Sequence, residues 1–248
     1  MKKFYAAFGA WAMGLLVAPA AFAVTATSMG SFEGEEEPTQ IYRPSSNSFV
    51  NDSYDNMTSP SSGTFRFVLR FRSSQWDGDR ATGNTDRQRA EVKGLGGHQK
   101  TNDTFEYGHT WKTNRGGSGS FWHVFQLKAT NGDNGAPLVV DSLTGGSNAA
   151  VRYCSGSTSG FTVARSYGIS IGSFTTTLIR VKTATSGGSL QAAINGGSMS
   201  GKTNVGMYRP GANDYRPKWG SYRGVSTSSP YGDDTVEQKG VTSNKKAN

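Results

Sequence analysis

The stretch Asp86-Arg87-Gln88-Arg89-Ala90-Glu91-Val92-Lys93-Gly94 alternates by twos, so that Arg89, Glu91 and Lys93 share one face of an extended chain and Gln88, Ala90 and Val92 the other. Charges on one side and small or apolar groups on the other describe a strand that covers a core and meets water. Such an ionic row would be costly in a dry interior unless paired, so it is expected to line a wet concave surface. An ordinary solvated strand face fits the same pattern.

Outward from this stretch, runs rich in Val, Ile, Phe, Tyr and Thr recur between clusters of Gly, Asn, Asp and Ser. They lie at Phe65 to Arg72, Thr104 to Thr113, Phe121 to Ala129, Leu138 to Leu143, Ala149 to Cys154, Phe161 to Tyr167, Thr175 to Thr183, Leu190 to Asn195, Val205 to Arg209, Lys218 to Val225 and Thr235 to Thr242. None has a helical period. Turns such as Asn131-Gly132-Asp133 and Asn195-Gly196-Gly197 suit short antiparallel connections. With 33 glycines in 248 residues and no internal repeat, the expectation is one all-β domain. Its architecture is expected to be an antiparallel two-sheet β-jelly roll, a concanavalin-like sandwich with a concave substrate cleft. From Val24 to Ser62, where Ser, Thr, Asn and Pro surround the acidic cluster Glu33, Glu35, Glu36 and Glu37, little regular structure is expected beyond short edge strands.

At the amino end, Lys2 and Lys3 precede an apolar run from Phe4 to Ala20 that closes on Ala21-Phe22-Ala23. This is the pattern of a secretory signal peptide over residues 1–23, leaving one domain over 24–248; the run is short for a membrane anchor. The net charge of +8 calls for an anionic partner, and export turns that expectation from nucleic acid toward an extracellular polyanion such as a polyuronate. No membrane association is expected after cleavage, and a monomer is expected. Cys154 is the single cysteine and there are three histidines, which excludes a disulfide framework and a zinc cluster.

Two further segments carry chemistry. In Phe121-Trp122-His123-Val124-Phe125-Gln126-Leu127-Lys128, strict alternation puts Trp122, Val124, Gln126 and Lys128 on one face and Phe121, His123, Phe125 and Leu127 on the other. The second set reads as core, with His123 a satisfied structural residue. In Lys218-Trp219-Gly220-Ser221-Tyr222-Arg223, Lys218, Gly220 and Tyr222 alternate with Trp219, Ser221 and Arg223. Gly220 would leave room for a ligand backbone, and Tyr222 is either packing or, beside Lys and Arg, a phenol that loses its proton more readily.

The three segments resemble the signatures of the jelly-roll polysaccharide lyases. Arg89-Ala90-Glu91-Val92, Gln126-Leu127-Lys128 and Lys218-Trp219-Gly220-Ser221-Tyr222 stand where alginate lyases have an Arg-x-Glu-Leu strand, a Gln-Ile-His strand and a Tyr-x-Lys-x-Gly-x-Tyr strand. The run from Gln88 to Gly96, with Phe125 to Lys128 and Trp219 to Arg223, is similar to the glucuronan lyases of polysaccharide lyase family 20. The resemblance implies β-elimination on an anionic polysaccharide, with Arg89 and Gln126 neutralising the uronate carboxylate and Tyr222 serving as base and acid. Lys128 replaces the catalytic His of the alginate pattern, which favours a syn elimination by Tyr222 alone. Lys128, Lys218 and Arg223 would hold flanking carboxylates and lower the Tyr222 pKa, Glu91 would orient Arg89, and Lys93 and Trp219 would contact substrate. His98 and His109 are further substrate-binding candidates, His109 fitting cleft or core equally.

No cofactor is expected for catalysis. The resemblance implies a structural calcium ion, with Glu33, Glu35, Asp233 and Asp234 as candidate ligands. A hydrolase would need a carboxylate pair that the sequence does not display. The alternatives are an alginate lyase of the same fold and a non-catalytic carbohydrate-binding module using Trp76, Trp111, Trp122 and Trp219.

Overall fold

A computed structural model describes the backbone of residues 32–34 and 56–61, and backbone with side chains at 64–69, 87–94, 99–117, 121–133, 135–224 and 233–247. Among these residues the alternating runs pair into two antiparallel sheets, with strands numbered in chain order. The eight-stranded sheet runs β1 (Phe32–Gly34), β4 (Arg87–Lys93), β14 (Asp214–Gly224), β7 (Trp122–Ala129), β8 (Val139–Gly145), β9 (Asn148–Tyr153) and β10 (Thr162–Gly168), with β5 (Gln99–Lys100) also pairing β14. The seven-stranded sheet runs β13 (Ser200–Met207), β12 (Ala184–Ile194), β11 (Thr175–Lys182), β6 (Thr104–Thr113), β15 (Asp234–Lys246), β3 (Thr64–Leu69) and β2 (Asn56–Ser61). Every expected strand is present, and β1 and β2 are the short edge strands allowed for in the polar amino-terminal region.

The inward faces meet in one core. Phe65, Phe67 and Leu69 of β3, Tyr107 of β6 and Ile179 and Val181 of β11 pack against Phe125, Leu127 and Trp219 of the opposite sheet. The rings of Tyr107, Phe125 and Trp219 lie 5.4 to 6.5 Å apart, tilted or edge-on rather than face to face. Each large apolar side chain buried here contributes roughly 1.5–3 kcal/mol. A second cluster joins Trp111, Trp122, Val124, Leu143 and Val236.

Alternation holds in β14 but fails in β7. The pairing of β7 with β8 shifts between His123 and Phe125, so Val124 is an extra residue on β7. The pairing of β14 with β7 shifts at the same level, where Gly220 and Ser221 face Val124. Val124 and Phe125 therefore both point inward, and His123 is returned to the outer face. The expectation that Trp122 and Val124 would share a face with Gln126, and that His123 would be core, is corrected by this bulge.

Candidate active site

The site forms on the outer face of the eight-stranded sheet, where β4, β14, β7, β8 and β9 are neighbours. Register sets the arrangement: Arg89 lies opposite Tyr222, Tyr222 opposite His123 and His123 opposite Ser142. A parallel row runs Lys93, Lys218, Gln126, Val140 and Arg152. Residues far apart in sequence are thus brought to one patch by β14 lying between β4 and β7.

At the centre, the Arg89 guanidinium carbon sits 4.5 Å from the Tyr222 ring centroid, and Arg87 Nη1 donates to the Tyr222 hydroxyl at 3.3 Å. The Glu91 carboxylate accepts a hydrogen bond from Gln126 Nε2 and lies 3.8 Å from Arg89 Nη1. Glu91 therefore bonds Gln126 and lies within ion-pair distance of Arg89, in a setting where burial strengthens each contact. His123 is ringed by Phe121 at 4.9 Å, Tyr222 at 5.8 Å and Phe161 at 5.9 Å between centroids. Arg152 donates from Nε and Nη2 to Ser142 Oγ at 3.2 and 3.0 Å, and its guanidinium lies 5.5 Å from Phe161.

Burial pushes the Tyr222 phenol above its usual range, against the opposing charges of Arg89 and Arg87. The expected lowering is thus reversed, and the cations that favour the phenolate are these two arginines of β4. Burial and the nearby Arg152 charge drop His123 to about 3, so its imidazole is neutral in ordinary solution. The resting site holds a protonated phenol and a neutral imidazole side by side.

Of the sequence candidates, Arg89, Glu91, Gln126, Lys218 and Tyr222 come together as expected, with Lys93 and Lys128 on the same face. Three do not. Arg223 is buried on the opposite face of β14, bonded to Asp234 and Gln88. Trp219 is buried in the core, because it alternates with Lys218. His109 lies between the sheets, its Nε2 3.1 Å from Asp141 Oδ2, and Tyr167 donates to the other Asp141 oxygen. His98, Glu35 and Trp76 lie outside the described residues, as does the Glu33 side chain. Arg87, Arg152 and Phe161 were not anticipated; extending the alternation of the opening stretch by one step finds Arg87.

Gly220 serves its own sheet rather than a ligand. With φ at +149°, a Cβ there would stand 2.2 Å from the Ala90 carbonyl oxygen and 2.7 Å from Glu91 Cα. Of the expected calcium donors, Asp234 does not fit. Asp234 is taken by Arg223 and by Arg115 at 2.5 Å, two cations that oppose a third, and Asp233 is exposed. No group of three acidic, His or Cys side chains suited to a metal exists among the described residues.

The fold is a jelly roll of two antiparallel sheets, and the outer face of the eight-stranded sheet is cationic and carries Tyr222. Among solved structures the chain is similar to the alginate lyase AlgAT5 of polysaccharide lyase family 7, with a TM-score of 0.64 and 14% identity over 89% of this chain and 95% of that one. An alginate lyase from Corynebacterium sp. gives 0.64 and 12% over 90% and 96%. The endo-β-1,4-glucuronan lyase of the fungus Trichoderma reesei gives 0.58 and 15% over 79% and 88%. At these identities the likeness is one of fold. No family model and no curated protein matches the sequence.

Proposed function

We propose that the protein is a polysaccharide lyase that cleaves a β-1,4-linked polyuronate by β-elimination, with glucuronan as the first candidate substrate. The observation that carries this reading is the convergence of Arg89, Gln126 and Tyr222 on one face, with Arg87 on the phenol oxygen. Arg89 and Gln126 would bind the uronate carboxylate and make the proton on C5 more acidic. Tyr222, as phenolate, takes that proton; the C5–H electrons form the C4–C5 double bond, the C4–O bond breaks, and Tyr222 returns the proton to the departing oxygen. Lys93, Lys128, Lys218 and Arg152 would meet carboxylates of neighbouring sugars. Export through residues 1–23 would place the enzyme where such polymers occur.

The position of His123 supports a second reading. A His does stand beside Tyr222, so the absence of a His at position 128 does not by itself restrict the site to syn elimination, and an anti elimination shared by two residues, as guluronate would need, is the alternative. The low basicity of His123 keeps Tyr222 as the preferred base. Glucuronate and mannuronate share their C4 and C5 configuration and present proton and leaving group on one side, whereas guluronate presents them on opposite sides. Three of the four tryptophans of the binding-module reading, Trp111, Trp122 and Trp219, are buried, and Trp76 lies outside the described residues.

Near-ultraviolet absorbance on β-1,4-glucuronan, polymannuronate and polyguluronate tests these readings. Absorbance that rises on the first two and is lost in Tyr222→Phe is the expected result. A rise on polyguluronate that is lost in His123→Ala establishes the second reading. No rise on any polyuronate overturns both.

A further inference from the structure

We propose that Gln238 is a positioning residue for this site, holding from across the core the double bulge that places His123 beside Tyr222. The inference rests on the reading of the β4, β14 and β7 face as the reacting surface. Gln238 belongs to β15 of the other sheet and is wholly buried. Its Nε2 donates to the Val124 carbonyl at 2.7 Å and to the Gly220 carbonyl at 3.3 Å. These are the residues at which the β7 and β14 pairings slip. A slip takes carbonyls out of the ladder, and a buried carbonyl without a partner is costly. Both partners are acceptors, so the amide nitrogen must face them, one hydrogen for each.

The consequence reaches the site through parity. Counting back from Gln126 without the extra residue puts Val124 outward and His123 inward, in the core beside Trp111 and Leu143. With it, Val124 is buried and His123 meets Phe121, Phe161 and Tyr222. One side chain of the second sheet thus decides which of two adjacent residues faces the substrate side. A hydrocarbon of the same length at position 238 fills the space but leaves both bulge carbonyls unbonded, which favours the unbulged register.

The test compares Gln238→Met with wild type and with Val181→Ala, a core truncation remote from the bulge, all measured well below their unfolding temperatures. Nuclear Overhauser contacts between the His123 and Tyr222 rings and the His123 titration are followed by NMR, alongside kcat and KM on the polymer that wild type cleaves. The expected result for Gln238→Met is loss of the ring contact, new His123 contacts to Trp111 and Leu143, a His123 midpoint that stays far below 6.5 because the core also desolvates the ring, and a kcat lower by about tenfold or more with KM less affected. Val181→Ala is expected to leave contact, titration and kcat in place. Unchanged His123 signals in folded Gln238→Met overturn the proposal, as does an equal change in Val181→Ala. If Gln238→Met does not fold, Gln238→Glu is read the same way, and a wild-type Gln238 side-chain amide that exchanges as fast as an exposed one overturns it without any variant. The NMR arm stands even if no polymer is cleaved, so failure of the lyase reading and failure of the Gln238 role are separable.

Discussion

Two uncharged rings, the Tyr222 phenol and the His123 imidazole, meet edge-on under the field of Arg87, Arg89 and Arg152. Burial dominates at both: it holds the phenol protonated and keeps the imidazole from charging. Because catalysis as proposed needs the phenolate, the rate should climb on the alkaline side of neutrality. Arg87→Ala removes a cation that favours the phenolate, so the alkaline limb of the pH–rate profile should move to higher pH; an unmoved or lowered limb would show that Arg87 does not act on Tyr222. His123 makes a separate prediction about stability. Its folded value of about 3 lies below the ordinary 6.5, so the unfolded chain takes up the proton first on acidification. Stability should therefore fall between about pH 6.5 and 3, by at most one proton's worth, about 1.4 kcal/mol per pH unit. Urea unfolding of His123→Asn across that window should show the acid loss flattened; an unchanged slope would assign the loss elsewhere.

At the scale of the element, β14 is the strand on which the site depends. It lies between β4 and β7, carries Lys218 and Tyr222 outward and Trp219 and Ser221 inward, and Ser221 accepts from Trp122 Nε1 at 2.9 Å. Its backbone approaches β4 closely at Gly220, where an added methyl group would meet the Ala90 carbonyl oxygen and Glu91 Cα. Gly220→Ala should cost about 1–3 kcal/mol from the unfavourable φ, and more from the clash. Displacing β4 there moves Glu91, which bonds Gln126 and lies within ion-pair distance of Arg89, so activity should fall beyond what the loss of stability explains. Thermal unfolding together with turnover checks this, and a variant as stable as wild type would contradict the close approach. The sequence showed β14 plainly, since its alternation is unbroken and its residues differ sharply in polarity. It hid the bulge in β7, because Val124 and Phe125 are both apolar and strict alternation had no mark to stop at.

For the molecule as a whole, the two sheets are joined by polar clamps as well as by the core. Arg223 of β14 reaches Asp234 of β15, which also holds Arg115, while Gln88 satisfies the remaining guanidinium nitrogens. Burial raises the Asp234 pKa and these arginines oppose the rise, so the carboxylate depends on them. Asp234→Asn leaves Arg223 buried without its counter-charge and should destabilise the fold by about 3–5 kcal/mol. Denaturant titration measures this, and a loss within about 1 kcal/mol would mean that the pair is solvated in solution. His109 and Asp141 form a second crossing between the sheets, braced by Tyr167.

The sequence by itself determined the all-β class, the positions of the main strands, and the outward placement of Arg89, Gln126 and Tyr222. Period-two alternation is a local property, and it holds along β4, along β14 and in β7 from Phe125 onward. Only the tertiary structure decided that Arg223 and His109 are spent between the sheets, that Asp234 belongs to arginines, and that His123 faces outward. Each of these depends on which strand lies opposite and on one added residue in the pairing. Register is a relation between distant segments, and no single segment carries it.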